Sequence, residues 1–186
     1  MSVPVSNRVR IIGGRHRGRM LRFPGVPGAR PTPDRVRETL FNWLGQDLAG
    51  RSTLEPYAGS GAMSLEALSR GATLAVAVDR DAALVRAMAD NARLLGEAAL
   101  ELHRGDARAF LARESRRFDV VFLDPPFDED PWPWLMPAAR DRLADGGAIY
   151  AEARRALDAP AGLAVVRRGR AGQVHYHLLA KEGPPC

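Results

Sequence analysis

The chain has 186 residues, of which 46% are apolar and 26% charged. That composition, in the size range of one domain, excludes a disordered or low-complexity chain. No apolar run reaches the roughly 18 residues of a membrane helix, and the only cysteine, Cys186, excludes an internal disulfide framework and a multi-cysteine zinc site.

The N-terminus reads Met-Ser-Val-Pro-Val-Ser-Asn-Arg, so no secretory signal is expected, and the cysteine usage fits a reducing compartment. The net charge of +5 is uneven. Residues 1–30 carry seven arginines (Arg8, Arg10, Arg15, Arg17, Arg19, Arg22, Arg30) and no acid, which leaves −2 for the remainder. A basic N-terminal stretch on a near-neutral body predicts a polyanion-binding arm on an enzyme-like core. The plain alternative is a solvated charged face. His16, His103, His175 and His177 lack metal-ligand spacing, so no metal is expected.

Residues 9–14 and 18–23 are short strand-like runs around a Gly/Arg turn and predict a hairpin that presents Arg15 and Arg17. Pro24, Pro27, Pro31 and Pro33 interrupt regular structure. Asp34 suits an N-cap, and Val36, Leu40, Trp43 and Leu44 share one face of a helix over 35–45. From residue 52 strands alternate with helices: strand 52–58, a helix to Arg70, strand 73–78, helix 81–95, a weak strand 100–103 and a short helix capped by Asp106. The run 118–123 is a strong buried strand. Helix 132–143, strand 147–151 and strand-like runs near 163–167 and 173–180 follow. Alternating βα units predict a parallel sheet with helices on both faces, and the last two runs predict an antiparallel hairpin at its edge.

Ligands of such a sheet bind at the carboxyl ends of its strands. The strand from 52 ends in Glu55-Pro56-Tyr57-Ala58-Gly59-Ser60-Gly61, where Gly59 and Gly61 permit a sharp turn and close approach to a ligand. The next strand ends in Asp79, placed to accept hydrogen bonds from both hydroxyls of a ribose. Asp106 and Asp124 follow the later strands. Gly-Ser-Gly also serves ordinary turns, and Asp79 and Asp106 are also ordinary helix caps; their joint placement favours a nucleotide-type site. A full dinucleotide fingerprint needs glycine where Ser64 stands, which argues against a tightly held pyrophosphate.

Asp124-Pro125-Pro126-Phe127 follows the strongest strand. A proline turn leaving a sheet is the plain reading. The chemical reading accounts for all four residues. An exocyclic base amine is a poor nucleophile because its lone pair is delocalised into the ring. Asp124 and the Pro125 carbonyl can accept its two N–H bonds, Pro126 stiffens the corner, and Phe127 offers a face for a base taken out of its helix. The carboxylate also stabilises the positive charge that develops on nitrogen.

This corner, with a Gly-x-Gly loop after the first strand of the alternating part, resembles the S-adenosylmethionine-dependent amino-methyltransferases. Several further segments narrow the resemblance to the bacterial 16S ribosomal RNA guanine-N2 methyltransferase family (RsmD-like): Arg10-Ile-Ile-Gly-Gly, Gly18-Arg19, the stretch from Arg30 to Leu44, Ala58-Gly-Ser-Gly-Ala, Leu65-Glu-Ala-Leu-Ser-Arg-Gly-Ala72, Asp124-Pro-Pro-Phe and Gly172-Gln-Val. The likeness spans about residues 8–182.

The resemblance implies a Rossmann-like α/β sheet, mostly parallel, with a C-terminal antiparallel hairpin. Residues 1–45 would form a basic RNA-binding extension and 46–186 the methyltransferase domain. It implies S-adenosylmethionine as cofactor, held by Glu55, Tyr57, Gly59, Gly61, Asp79, Arg80, Asp106, Ala107 and Asp124. Gly59 and Gly61 would lie against the methionine moiety, Asp79 against the ribose and Asp106 against the adenine amine. Asp124, Pro125, Pro126 and Phe127 would be catalytic. Arg10, Arg15, Arg17, Arg19, Arg30, Arg35 and Arg37 would grip RNA. Glu55 stands where the family usually has Asp, which implies a shifted hold on the cofactor's ammonium end. Glu152 matches a family acid and reads as structural or substrate-side. The implied partner is 16S rRNA in a small-subunit particle, met by a cytoplasmic monomer with no membrane contact. Three rivals are a DNA amino-methyltransferase, a non-catalytic RNA-binding assembly factor and a nicotinamide dehydrogenase, the last disfavoured by Ser64.

Overall fold

The computed structural model describes residues 6–26 and 31–182. Pro27, Arg30 and Cys186 lie outside them. The chain opens with an antiparallel hairpin, β1 (Ser6–Arg10) and β2 (Met20–Pro24), in the register Val9↔Leu21. A short 3-10 turn, Gly14–His16, sits in its loop. Gly14 is required there, since a Cβ on it would meet the Ser69 carbonyl at 1.9 Å, while one on Gly13 would displace the Arg70 guanidinium.

Helix α1 (Asp34–Trp43) follows. Its N-cap is Pro33, not the expected Asp34. The Asp34 carboxylate instead accepts from Arg10 and Arg37, ion pairs that outcompete a cap. Then come β3 (Ser52–Glu55), α2 (Ala62–Ser69), β4 (Leu74–Asp79), α3 (Ala82–Leu95), β5 (Leu100–Arg104), α4 (Ala107–Arg113), β6 (Phe118–Leu123), α5 (Trp132–Asp141), β7 (Leu143–Ala153), β8 (Leu163–Ala171) and β9 (Val174–Lys181). Asp81 caps α3 and Asp106 caps α4.

Strands β3 to β9 form one sheet in the order β5-β4-β3-β6-β7-β9-β8. The five strands β3 to β7 are parallel, and β9 pairs antiparallel with both β7 and β8. The chain moves outward from β3 to β5, then returns to the far side of β3 with β6. Its topological switch therefore lies between β3 and β6, and a crevice opens there at the carboxyl ends. Strand residues alternate between two apolar layers. Val120, Phe122 and Tyr150 pack with α1, α2, α3 and the hairpin; Val121, Leu123 and Ile149 pack with α4 and α5.

The N-terminal hairpin and α1 thus share a core with α2 and the sheet across the expected boundary at residue 45. Their main polar tie is Glu66 on α2, fully buried, which accepts from the backbone N–H groups of Ile12 and Gly13 and pairs with Arg37 and Arg70. Asn91 on α3 adds a strand-like pair of hydrogen bonds to the Arg22 backbone at β2.

Candidate active site

Three acids stand at the carboxyl ends of three neighbouring strands: Glu55 on β3, Asp124 after β6 and Glu152 on β7. The alternation that sends Leu54, Leu123 and Ala151 into the α4–α5 layer turns all three acids to the opposite face, toward α1 and α2. The register Leu123↔Ala151 sets Asp124 beside Glu152.

Each acid has a distinct environment. Glu55 is buried, and its Oε2 accepts from the Ser64 N–H at 3.0 Å and from the Ser64 hydroxyl at 2.5 Å. Burial pushes its pKa up to about 8, Ser64 pulling the other way and the Asp79 charge adding slightly. Ser64 therefore replaces the fingerprint glycine with a residue that fixes Glu55. Asp124 is held well above the ordinary carboxylate range by burial first, then by the negative charges of Glu152 and Glu55. Glu152 is raised by burial, while hydrogen bonds from Thr32 and Tyr150 to its Oε1, 2.7 and 2.8 Å long, pull it down. Neighbouring acids of this kind favour sharing a proton over carrying two charges.

The glycine loop after β3 turns through left-handed backbone at both Gly59 and Gly61. A Cβ on Gly59 would stand in open space, so its bareness leaves room for a ligand. A Cβ on Gly61 would strike Met88 at 2.7 Å, so that glycine serves the turn and the approach of α3. Asp79 Oδ2 accepts from the Gly59 N–H and Oδ1 from the Asp81 N–H, both at 2.8 Å, and each oxygen keeps a lone pair for a ligand hydroxyl. Asp106 Oδ1 caps α4 at the Ala109 N–H. Tyr57 lies nearby, its phenol pushed up to about 12 by burial and then by the charges of Glu129 and Asp106. Arg80 is exposed and faces Glu129 at 3.9 Å. Ala107 is buried at the start of α4. The expected cofactor residues thus fall at or just beyond the carboxyl ends of β3, β4, β5 and β6.

On the other side of Asp124 a cavity of about 240 Å³ opens between the Asp-Pro-Pro-Phe corner and the end of β7, lined by Pro125, Pro126, Phe127, Trp132, Glu152 and Arg154 among others. Phe127 is 39% exposed, and the Arg154 guanidinium lies 5.2 Å from its ring centroid. A wider cleft of about 340 Å³, lined by Arg117, Arg140, Arg142 and Lys181, lies at the opposite, amino end of the sheet. Among the described residues no group of three His, Cys, Asp or Glu could hold a metal.

The arginines divide sharply. Arg17, Arg19 and Arg35 are exposed. Arg10 is exposed and paired with Asp34, while Arg15 forks onto the buried Glu97 at 2.6 Å. Arg37 is a correction to the RNA-gripping set. It is fully buried and donates to the Thr32 and Arg10 carbonyls, Asp34 and Glu66. A guanidinium with its donors spent inside the protein cannot reach a phosphate. The roles of Thr32, Tyr150 and Ser64 are not legible in the sequence, where Ser64 stands out only as a missing glycine, because no local pattern announces a hydroxyl that orients a distant acid.

The chain is similar to known proteins over nearly its whole length. The family described as "Conserved hypothetical protein 95" matches residues 9–180. "Ribosomal RNA small subunit methyltransferase D" of Escherichia coli (strain K12) is 40% identical over 182 residues, covering 95% of this chain and 92% of that one. The solved Escherichia coli protein yhhF superposes with a TM-score of 0.86 at 39% identity, over 96% of this chain and 100% of that one. The Thermus thermophilus 16S rRNA N2 G1207 methyltransferase, solved with AdoMet and guanosine, shares the fold, with a TM-score of 0.71 at 23% identity over 98% of this chain and 52% of that one. Sequence and fold, matched from β1 to β9, make the chain a member of the Conserved hypothetical protein 95 family.

Proposed function

We propose that the chain is an S-adenosylmethionine-dependent methyltransferase acting on the exocyclic N2 of a guanine in 16S rRNA of the small ribosomal subunit. The observation that carries this reading is the Asp124-Pro125-Pro126-Phe127 corner at the switch point, with a glycine-loop rim on one side and a base-sized cavity on the other. The relative that is 40% identical carries a small-subunit methyltransferase name, and a fold neighbour holds AdoMet and guanosine.

The residues fit the cofactor. Glu55 offers a carboxyl fixed by Ser64 at the end of β3, Gly59 leaves open space, and Asp79 keeps acceptors for two hydroxyls. When bound, S-adenosylmethionine supplies an already activated methyl group. The chain's own task is then alignment and electrostatics. Glu55, fixed by Ser64, faces the ammonium end. Asp79 holds the ribose and Asp106 the adenine amine. Asp124 and the Pro125 carbonyl accept the two N2 hydrogens and turn the nitrogen lone pair toward the donor. Phe127 stacks on the base. The methylated N2 is cationic and therefore acidic, and its proton leaves after transfer, with Asp124 in its ionised form as the acceptor.

The exposed Arg17, Arg19 and Arg35, together with Arg10 and Arg15, supply phosphate contacts, and the surface they form suits a structured particle better than a short strand. The reading includes a monomer at work in the cytoplasm. No described helix is long and apolar enough to cross a membrane. The test is mass mapping of nucleosides after incubation with undermethylated small subunits and labelled donor. One new N2-methylguanine in 16S rRNA is expected; label in adenine, label in duplex DNA, or no transfer rejects the reading.

A further inference from the structure

An acid-Pro-Pro-Phe corner would activate the amine of adenine or cytosine as readily as that of guanine, so a second group must choose the base. Glu152 occupies the position for it. Its side chain is 4% exposed and lines the cavity beside Pro125 and Phe127. It leaves β7 on the same face as Asp124 leaves β6, from neighbouring strands about 4.8 Å apart. Two hydroxyls, of Thr32 and Tyr150, donate to Oε1 and set the rotation of the carboxyl group. No described residue donates to Oε2. A buried carboxyl held by one oxygen, with the other facing a cavity, is built to meet a ligand donor.

We propose that Glu152 selects guanine, its Oε2 accepting the base N1–H while Asp124 accepts from N2. Among the four RNA bases only guanine carries a ring N–H adjacent to an amine. Adenine N1 and cytosine N3 bear lone pairs there and would face the carboxylate repulsively. Uracil has the N–H but no amine. Two converging acceptors therefore read the donor pair N1–H and N2–H, and a wrong base leaves a buried acceptor unpaired. In the empty cavity the two acids favour sharing a proton, and guanine's two donors select the state in which both carboxyls accept.

The proposal rests on the guanine-N2 reading, and its test separates the two. Small subunits are reconstituted with guanine or with 2-aminopurine at the position the wild-type enzyme methylates. 2-Aminopurine keeps the amine but presents a bare N1. Wild type is expected to prefer guanine by roughly 10-fold or more in kcat/KM. In Glu152→Gln, Thr32 and Tyr150 hold the amide oxygen and the amide NH2 faces the cavity as a donor. The preference for guanine should then fall at least 10-fold, with S-adenosylhomocysteine affinity unchanged. The missing O6 is common to both enzymes and cancels in this comparison. Equal rates on the two substrates by wild type, an unchanged ratio in the variant, or a variant that binds the cofactor product yet is inactive on both substrates overturns the proposal. Should Glu152→Gln fail to fold, Tyr150→Phe, which removes one of the two donors that orient the carboxyl, takes its place, and an unchanged ratio in it overturns the proposal. No N2-methylation of guanine particles by wild type would instead defeat the reading beneath it.

Discussion

Thr32, just before α1, donates a 2.7 Å hydrogen bond to Glu152 on β7, 120 positions away in sequence. Through it the N-terminal segment fixes an acid beside the corner proposed to activate the base. The segment from Pro31 to Leu44 therefore works from the inside of the molecule as well as from its surface. Arg37, five residues on, returns a hydrogen bond to the Thr32 carbonyl and closes the loop.

Removing only that hydroxyl tests the coupling. Thr32→Val keeps the shape and leaves Glu152 with one fixing donor. Loss of one buried hydrogen bond should cost about 1–3 kcal/mol of stability, read as a lowered Tm. Misplacement of the acid should reduce turnover roughly 10-fold or more, while cofactor affinity measured by calorimetry stays unchanged.

Arg37 and the exposed arginines should separate cleanly. Arg37→Ala leaves Glu66 buried with a lost partner, and breaking such a pair costs about 3–5 kcal/mol. It should lower Tm strongly. Arg17→Ala and Arg19→Ala should leave Tm unchanged and weaken RNA binding. Each lost phosphate contact should flatten the slope of log affinity against log salt by about 0.7 for single-stranded RNA. Filter binding across a salt series gives that slope, and a flat wild-type line would remove the arm from the reading.

The pH dependence follows from Glu55. Unfolded, it ionises near its ordinary value of 4.5; folded, burial holds it near 8. The native state therefore binds more protons between these values, so this group's contribution is fully present below 4.5 and is lost as pH rises through about 8. Ligand-free protein should lose Tm across that window, and Glu55→Gln should flatten the loss. A cation bound beside Glu55 favours its ionised form, so S-adenosylmethionine should release protons at pH 7. Binding enthalpies in buffers of different ionisation heat count them, and Glu55→Gln should remove most of one.

Asp124→Ala should abolish most turnover while changing cofactor affinity only modestly, since its acceptor role lies toward the base. Loss of a positioned acceptor of this kind costs roughly 100-fold or more. Single-turnover methyl transfer with saturating cofactor measures it, and near-normal rates would exclude Asp124 from the reaction.

Local signals sufficed for much of the molecule. The run Phe118–Leu123, the helix ending at Leu95, the cap at Asp106 and the βα alternation each follow from periodicity and turn chemistry within a few residues, whereas the cap of α3 is Asp81 and not Asp79. Asp124-Pro125-Pro126-Phe127 was readable for the same reason, because its four roles are contiguous. Asp34 shows where such reading stops. Its sequence position favours a cap, but Arg10 and Arg37 arrive from elsewhere and take the carboxylate.

Length, charge asymmetry, the alternation of strands and helices and the reactive corner were determined by the sequence itself, since each depends on near neighbours. Which arginines face solvent, that Ser64 grips Glu55, and that Thr32 and Tyr150 aim Glu152 were decided only by the tertiary structure. Burial and hydrogen bonding between residues many positions apart depend on how strands register and layers close, and a linear pattern of side chains carries no record of that.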